Sequence, residues 1–329
     1  MKRRRVLRSL LAGILAAAFM HGAPAQQFPS KPIRIIVPFA AGGANDLNAR
    51  SLQVPLGKAL GGTVIVENLP GASTKLALDQ VLKSAPDGHT LLLAGHGALM
   101  SYFYTGIYDT KIWDQLTILG QTGRMPWLII EARADAPYKT WAELVDYARK
   151  NPGKLSAGGP APGGMMELSV IETAKNSGID VTYIPFKGGG PSGQALLGGH
   201  IAYRVAQGSE VYPNVRAGRT RALGIGSPYR MPELPDVPTL RQLGIMAFDI
   251  PVFGFDLWAP GVLPPATATQ ITAALEQAVK DPGYMEASRR LVYDPVFTGP
   301  AALRDSIRYI EKEIGPRLVA AFPPDPTRK

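Results

Sequence analysis

Apolar and polar positions along the chain alternate between two periods. Short β-branched or apolar runs at 33–37 ("IRIIV"), 64–67 ("VIVE") and 89–94 ("HTLLLA") read as strands. Between them, residues 46–60 carry apolar side chains at Leu52, Leu56, Ala59 and Leu60, and 75–84 also has a helical spacing. Asn45 is placed to cap the first of these helices, with Asp46 in its first turn. Pro55 lacks an N–H and crowds the Ser51 carbonyl, so a kink or an early end is expected. This β-α-β-α-β order predicts parallel strands with right-handed crossovers.

A second unit begins near 126–130 ("PWLII"). Thr140 and Glu143 form a capping box ahead of a helix at 141–150, and "NPG" at 151–153 ends it. A strand in "KLSAGG", a helix at 164–176, the strand "VTYIPF", a helix at 191–197 and the strands "HIAYRVA" and "TRALGIG" follow. The segment "LPDVPTLRQLG" is an irregular connection. The chain then returns to strand-like "FGFDLWAP" and ends in two amphipathic helices, 265–279 and 300–321. No repeat of solenoid period and no low-complexity tract interrupts this order.

Composition narrows the class. The 329 residues are 46% hydrophobic and 19% charged, as in a globular protein, and the length favours two domains. There is no cysteine, which excludes disulfides and thiolate sites. The four histidines, His21, His89, His96 and His200, include no pair at a helical ligand spacing, so neither a metal nor a cofactor is expected. Residues 1–25 have a basic head, an apolar stretch from Leu10 to Met20 and a small-x-small pattern at 23–25, which reads as a secretory signal. Either the general or the twin-arginine route suits its arginine run. The net charge of +9 falls to +4 without the signal's five basic residues, leaving no basic stripe for nucleic acid. No later segment is apolar enough to span a bilayer, so the mature protein is expected in the periplasm.

Four loops share one design, a strand followed by small residues and then a helix. They are "PFAAGGAND" (38–46), "AGHGALMS" (94–101), "SAGGPAPGGMMEL" (156–168) and "PFKGGGPSGQAL" (185–196). Glycine lets the backbone approach a ligand closely, and a helix N-terminus offers unsatisfied N–H groups and a partial positive charge. Ligands of open parallel sheets bind beyond the carboxyl ends of the strands, so four such loops in two units predict an anion-binding cleft. Neither the dinucleotide fingerprint nor a P-loop is present. Lys187 is a candidate cation, His96 a candidate donor or a solvated loop residue, and Asp46 a brace for the first loop. No nucleophile elbow and no close His–carboxylate spacing marks an enzyme.

The segments "PIRIIVPFAAGGANDLNAR", "VIVENLPGAS", "APDGHTLLL", "NPGKLSAGG", "IPFKGGGPSGQALLGG", "RAGRTRALGIGSPYRMPELPDVPTLRQLG" and "WAPGVLPP" occur in this order. Together they resemble the extracytoplasmic solute receptors of tripartite tricarboxylate transporters, the Bug family, from about Phe28 to near the C-terminus. The resemblance implies an α/β, type II-like, two-lobe periplasmic-binding-protein fold. Each lobe would be a mainly parallel sheet flanked by helices, with a hinge between lobes. Lobe 1 would take residues 26–127 and 251–329, and lobe 2 residues 128–250.

The resemblance also implies a monomeric, non-enzymatic receptor. It would deliver a small carboxylate to the large and small membrane subunits of a transporter. A sensor for a two-component kinase and a periplasmic hydrolase are the alternatives. One ligand carboxylate would meet backbone amides of the first and fourth loops: Phe39, Ala40, Ala41, Gly42, Gly43, Ala44 and Asp46, and Lys187, Gly188, Gly189 and Gly190. The other end would meet Gly95, His96 and Gly97, then Gly158, Gly159 and Pro160, with Arg204 and Gln207.

The chain departs from the family pattern in three places. Ala41 stands where a proline is usual. Pro160, Pro162, Met165 and Met166 replace hydroxyl donors. After "LLGG" an acidic residue two or three positions on is common, and here the run is His200-Ile201-Ala202-Tyr203-Arg204, a lost carboxylate beside a gained arginine. An arginine facing the cleft would favour a dicarboxylate or an aromatic carboxylate over an amino acid.

Overall fold

The computed structural model describes residues 28–125, 127–245 and 254–323; the signal segment and the stretch 246–253 lie outside them. The first three strands, β1 (Ile33–Val37), β2 (Val64–Asn68) and β3 (Thr90–Leu93), are linked by helices α1 (Ala44–Leu60) and α2 (Lys75–Leu82). β1 pairs in parallel with both neighbours, Ile35 lying against Val66 and Leu91. It is buried on both faces. Ile33, Ile35 and Val37 join one core cluster and Ile36 joins the other, which is why it reads as a continuous apolar run.

After α3 (His96–Tyr104) comes β4 (Leu116–Arg124), and the chain crosses to the second sheet at β5 (Leu128–Arg133). Helix α4 (Trp141–Lys150), β6 (Ser156–Pro160), α5 (Met165–Ser177), β7 (Thr182–Phe186), α6 (Gly189–Leu197), β8 (Tyr203–Gln207), α7 (Gly208–Arg216) and β9 (Thr220–Gly226) complete it. β10 (Gly254–Pro260) then returns to the first sheet, followed by α8 (Pro265–Val279), α9 (Pro282–Arg290), α10 (Pro300–Tyr309), a π turn and α11 (Gly315–Ala321).

The two sheets have one plan. Their orders are β2-β1-β3-β10-β4 and β7-β6-β8-β5-β9. β10 is antiparallel to β3 and β4, and β5 is antiparallel to β8 and β9. In each sheet, therefore, four strands run one way and one is reversed. These are mixed sheets dominated by one direction, flanked by helices, in a two-lobe α/β fold.

Some local expectations are corrected. Helix α1 starts at Ala44 with Gly43 as its N-cap, so Asn45 lies inside the helix. It also continues through Pro55 to Leu60. The fully buried Leu52 and Leu56 on either side of the proline contribute roughly 1.5–3 kcal/mol each, enough to offset one lost hydrogen bond. Helix α7 was not evident because Gly208 and Pro213 break its pattern.

The capping box of α4 forms, with the Thr140 hydroxyl accepting from the Glu143 amide; the Glu143 carboxylate takes the Lys139 amide at 2.6 Å. Helix α11 packs on α3 of the first lobe and α5 of the second, so the C-terminal helix bridges both. No helix among the described residues is long and apolar enough to cross a membrane.

Candidate functional site

The N-termini of α1, α3, α5, α6 and α7 converge between the sheets on a cavity of about 70 Å³. By this measure it holds several waters or a small organic solute. Its wall takes Phe39, Gly43, Ala44, Asn45, Gly95, Gly97, Ala98, Ser101, Tyr102, Met125 and Gly254 from the first lobe. The second lobe contributes Pro160, Gly164, Met165, Met166, Gly189, Gln207 and Glu210. The glycines are needed for the close approach. A β-carbon on Gly95 would lie 2.6 Å from the Gly254 carbonyl oxygen, and one on Gly190 would lie 2.5 Å from that of Ala41.

The first and fourth loops meet across the cleft. The Ala40 amide donates to the Lys187 carbonyl at 3.0 Å. Asp46 braces the first loop by accepting from the Gly42 amide at 2.9 Å and from Arg50 at 2.9 Å. Its carboxylate is therefore occupied in the loop itself. Ala41 and Gly42 are exposed at the rim. Gly188 lies against Ala40, where an added β-carbon would come within 3.1 Å of the Ala40 nitrogen. Lys187 lines a separate outer groove of about 420 Å³ with Pro38, Phe39, Ser73, Pro162 and Pro191. Gly158 and Gly159 are packed inside β6 against Ile201, Phe186 and Tyr183, leaving Pro160 to reach the cavity.

Two expected ligand contacts are overturned. His96 is neither solvated nor a donor to the cleft, because its ring is buried and used on both sides. Nδ1 lies 2.5 Å from Asp256 Oδ2 and Nε2 lies 2.8 Å from Ser306 Oγ. Arg204 does not face the cleft either. It is fully buried, donating to Glu131 at 2.5 Å and to the Gly189 carbonyl at 2.7 Å, with Glu210 at 3.8 Å. It could not have been placed from sequence, because its main partner lies 73 residues away.

Sequence reasoning also missed Glu210. Its carboxylate accepts from the Ala44 amide at 2.7 Å, across the lobes, and from the Gln207 amide of its own helix. Burial pushes this carboxyl above its ordinary pKa; Arg204 and the two amides pull it down, and Glu131 adds to the rise. The available signal was an acid at the third position of α7, had that helix been recognised.

The Asp256–His96–Ser306 chain has the connectivity of a hydrolase triad, but not its setting. Ser306 lies within α10, whose amides are committed to the helix. Neither Ser306 nor His96 lines the cleft cavity. The group ties α10 to the sheet through Asp256, which also accepts from Gln121 at 2.8 Å.

The family model described as the tripartite tricarboxylate transporter family receptor matches residues 48–314. The chain belongs to that receptor family. The receptor is 35% identical over 305 residues to a UPF0065 protein in the gbd 5′ region of Cupriavidus necator, covering 90% of each chain. Among solved structures, it is similar to the periplasmic binding protein BugD, with 27% identity, a TM-score of 0.81 and coverage of 89% of this chain and 98% of that one. MatC from Rhodopseudomonas palustris, solved with bound malate, shows 26% identity, a TM-score of 0.77 and coverage of 90% and 99%. Its family is one of solute-binding receptors rather than enzymes.

Proposed function

We propose that the protein is a periplasmic receptor. It captures a small organic carboxylate between lobe 1 (26–127 and 251–329) and lobe 2 (128–250), as a monomer, and delivers it to the large and small membrane subunits of a tripartite tricarboxylate transporter. The observation that carries this reading is the convergence of helix N-termini from both sheets on one cavity. Such ends supply N–H donors and partial positive charge to an anion. A solute touching both lobes binds the closed form better and shifts the population toward it, with no covalent step.

The wall supports a finer class. Arg204 gives no support for a dicarboxylate, because its side chain is consumed in ion pairing. Met125, Met165, Met166 and Tyr102 form an apolar wall, which supports an acid with an aliphatic or aromatic body. The malate in the MatC structure fits the general class of carboxylate.

A thermal-shift screen of the mature protein, stripped of bound solute, tests the reading against aliphatic, aromatic and amino-bearing carboxylates. A ligand at about 100 times its dissociation constant adds roughly 2.7 kcal/mol. One saturable shift, reduced in Gln207→Leu, is expected. No shift with any acid would sink the reading.

A further inference from the structure

Two sets of helix ends face the cavity. Gly95, Gly97 and Ala98 of α3 and Gly164, Met165 and Met166 of α5 make one seat; Gly43 and Ala44 of α1 and Gly189 of α6 make the other. The second is already filled from within. The Glu210 carboxylate accepts from the Ala44 amide at 2.7 Å, and a β-carbon on Gly189 would collide with both its oxygens. One side chain of α7 thus sits where the first and fourth loops meet.

The surrounding charges are balanced against a second anion. Arg204 is the cation beside Glu210, and it is shared with Glu131 and with the Gly189 carbonyl. No lysine, arginine or histidine lines the cavity among the described residues. Asn45, Ser101, Tyr102 and Gln207 supply the other polar side chains of the wall. Gln207 is 4% exposed, lines the cavity, and its buried Oε1 has no hydrogen-bond partner. An orphaned buried acceptor next to a carboxylate calls for a donor.

We propose that Glu210 is a specificity-determining residue that occupies one of the two anion seats. The protein then selects acids with one carboxylate and a hydrogen-bond donor, an ammonium or a primary amide, at the opposite end, and discriminates against dicarboxylates. The solute carboxylate takes the α3–α5 seat; at α3 the His96 amide is already taken by Asp256 and the Ala98 amide by the Gly95 carbonyl, so the donors on offer come mainly from the first turn of α5. Glu167 of α5 does not compete for that seat, since it turns back to the Gly163 amide at 2.6 Å and is not part of the wall. The donor end meets Glu210 and Gln207. A second carboxylate there would face the Glu210 carboxyl at close range, an arrangement that like charges disfavour.

The inference rests on the carboxylate-receptor reading, and the experiment separates the two. Calorimetric titration would use matched acids on four- to six-carbon and benzene bodies. One end is a carboxylate throughout; the other is a carboxylate, a primary amide or an ammonium. Wild-type protein is expected to bind an amide- or ammonium-ended acid about tenfold or more tighter than its dicarboxylate partner. Glu210→Gln, shown to be folded by its unfolding curve, is expected to shrink or invert that ratio.

A wild-type preference for the dicarboxylate, or an unchanged ratio in the variant, overturns the inference and leaves the receptor reading standing. Silence of both proteins toward every acid overturns the receptor reading and this inference with it. The wild-type ratio alone decides the point if the variant does not fold.

Discussion

Glu210 places a carboxyl where burial opposes its charge, and that gives it a pH signature. Its carboxyl is raised above its ordinary value, mainly by desolvation. The charged groups facing it are Arg204 on β8 and Glu131 on β5; α1 of the other lobe presents the Ala44 amide. The folded protein therefore holds this proton more tightly than the unfolded chain does. Stability tied to the group rises as pH falls through the raised pKa, and levels off below the unfolded one. Melting temperatures of wild type and Glu210→Gln, compared from about pH 8 to about pH 5, should show the wild type gaining on the variant as pH falls. A constant gap would contradict the assignment.

At this scale the sequence was only partly readable. The glycines of the four loops announced close backbone approach from their local pattern. Arg204 and His96 stood out as unusual, but their roles depend on Glu131 and on Asp256, 160 residues from the histidine, and no local pattern carries that information.

Helices in this protein repeat one device. An acid at the third helical position reaches back to an amide at or before the cap. Asp46 takes the Gly42 amide, Glu143 that of Lys139, Glu167 that of Gly163 and Glu210 that of Gln207. Each satisfies an otherwise unpaired N–H and complements the helix dipole. In α4 the reciprocal partner is present too, so Thr140→Ala should cost about 1 kcal/mol in a denaturant titration, with helix content otherwise kept. Strands and most helices were legible because their period is local. Two misread helices, α1 at its start and α7 entirely, carry an internal proline, where burial of neighbouring side chains outweighs backbone propensity; α9 was not expected either, and the expected helix 300–321 is interrupted by a π turn at Ile310–Ile314. Of the four acids, Glu210 alone spends a second acceptor on the other lobe, so the same local motif becomes a long-range contact.

The whole molecule brings two sheets of one plan together through thin backbone contacts at the cleft. Gly190 lies where a β-carbon would meet the Ala41 carbonyl oxygen at 2.5 Å, with backbone on both sides. Gly190→Val should therefore wedge the loops apart. Small-angle scattering would show a larger radius of gyration than wild type, and a binding acid should no longer compact the variant. Equal radii would mean that the loops absorb the side chain. The two-lobe plan was legible from element order and from the family resemblance. The closeness of the loops was not, because it depends on how far the lobes shut.

The seat of α11 across α3 and α5 has a practical consequence when joined to the absence of cysteine from the chain. Val319 on this helix is 43% exposed, so Val319→Cys would provide a single thiol for labelling. An environment-sensitive dye attached there would sit beside a helix that rests on both lobes. Opening and closing would change its surroundings, turning the receptor into a reagentless optical reporter of whichever acid it captures.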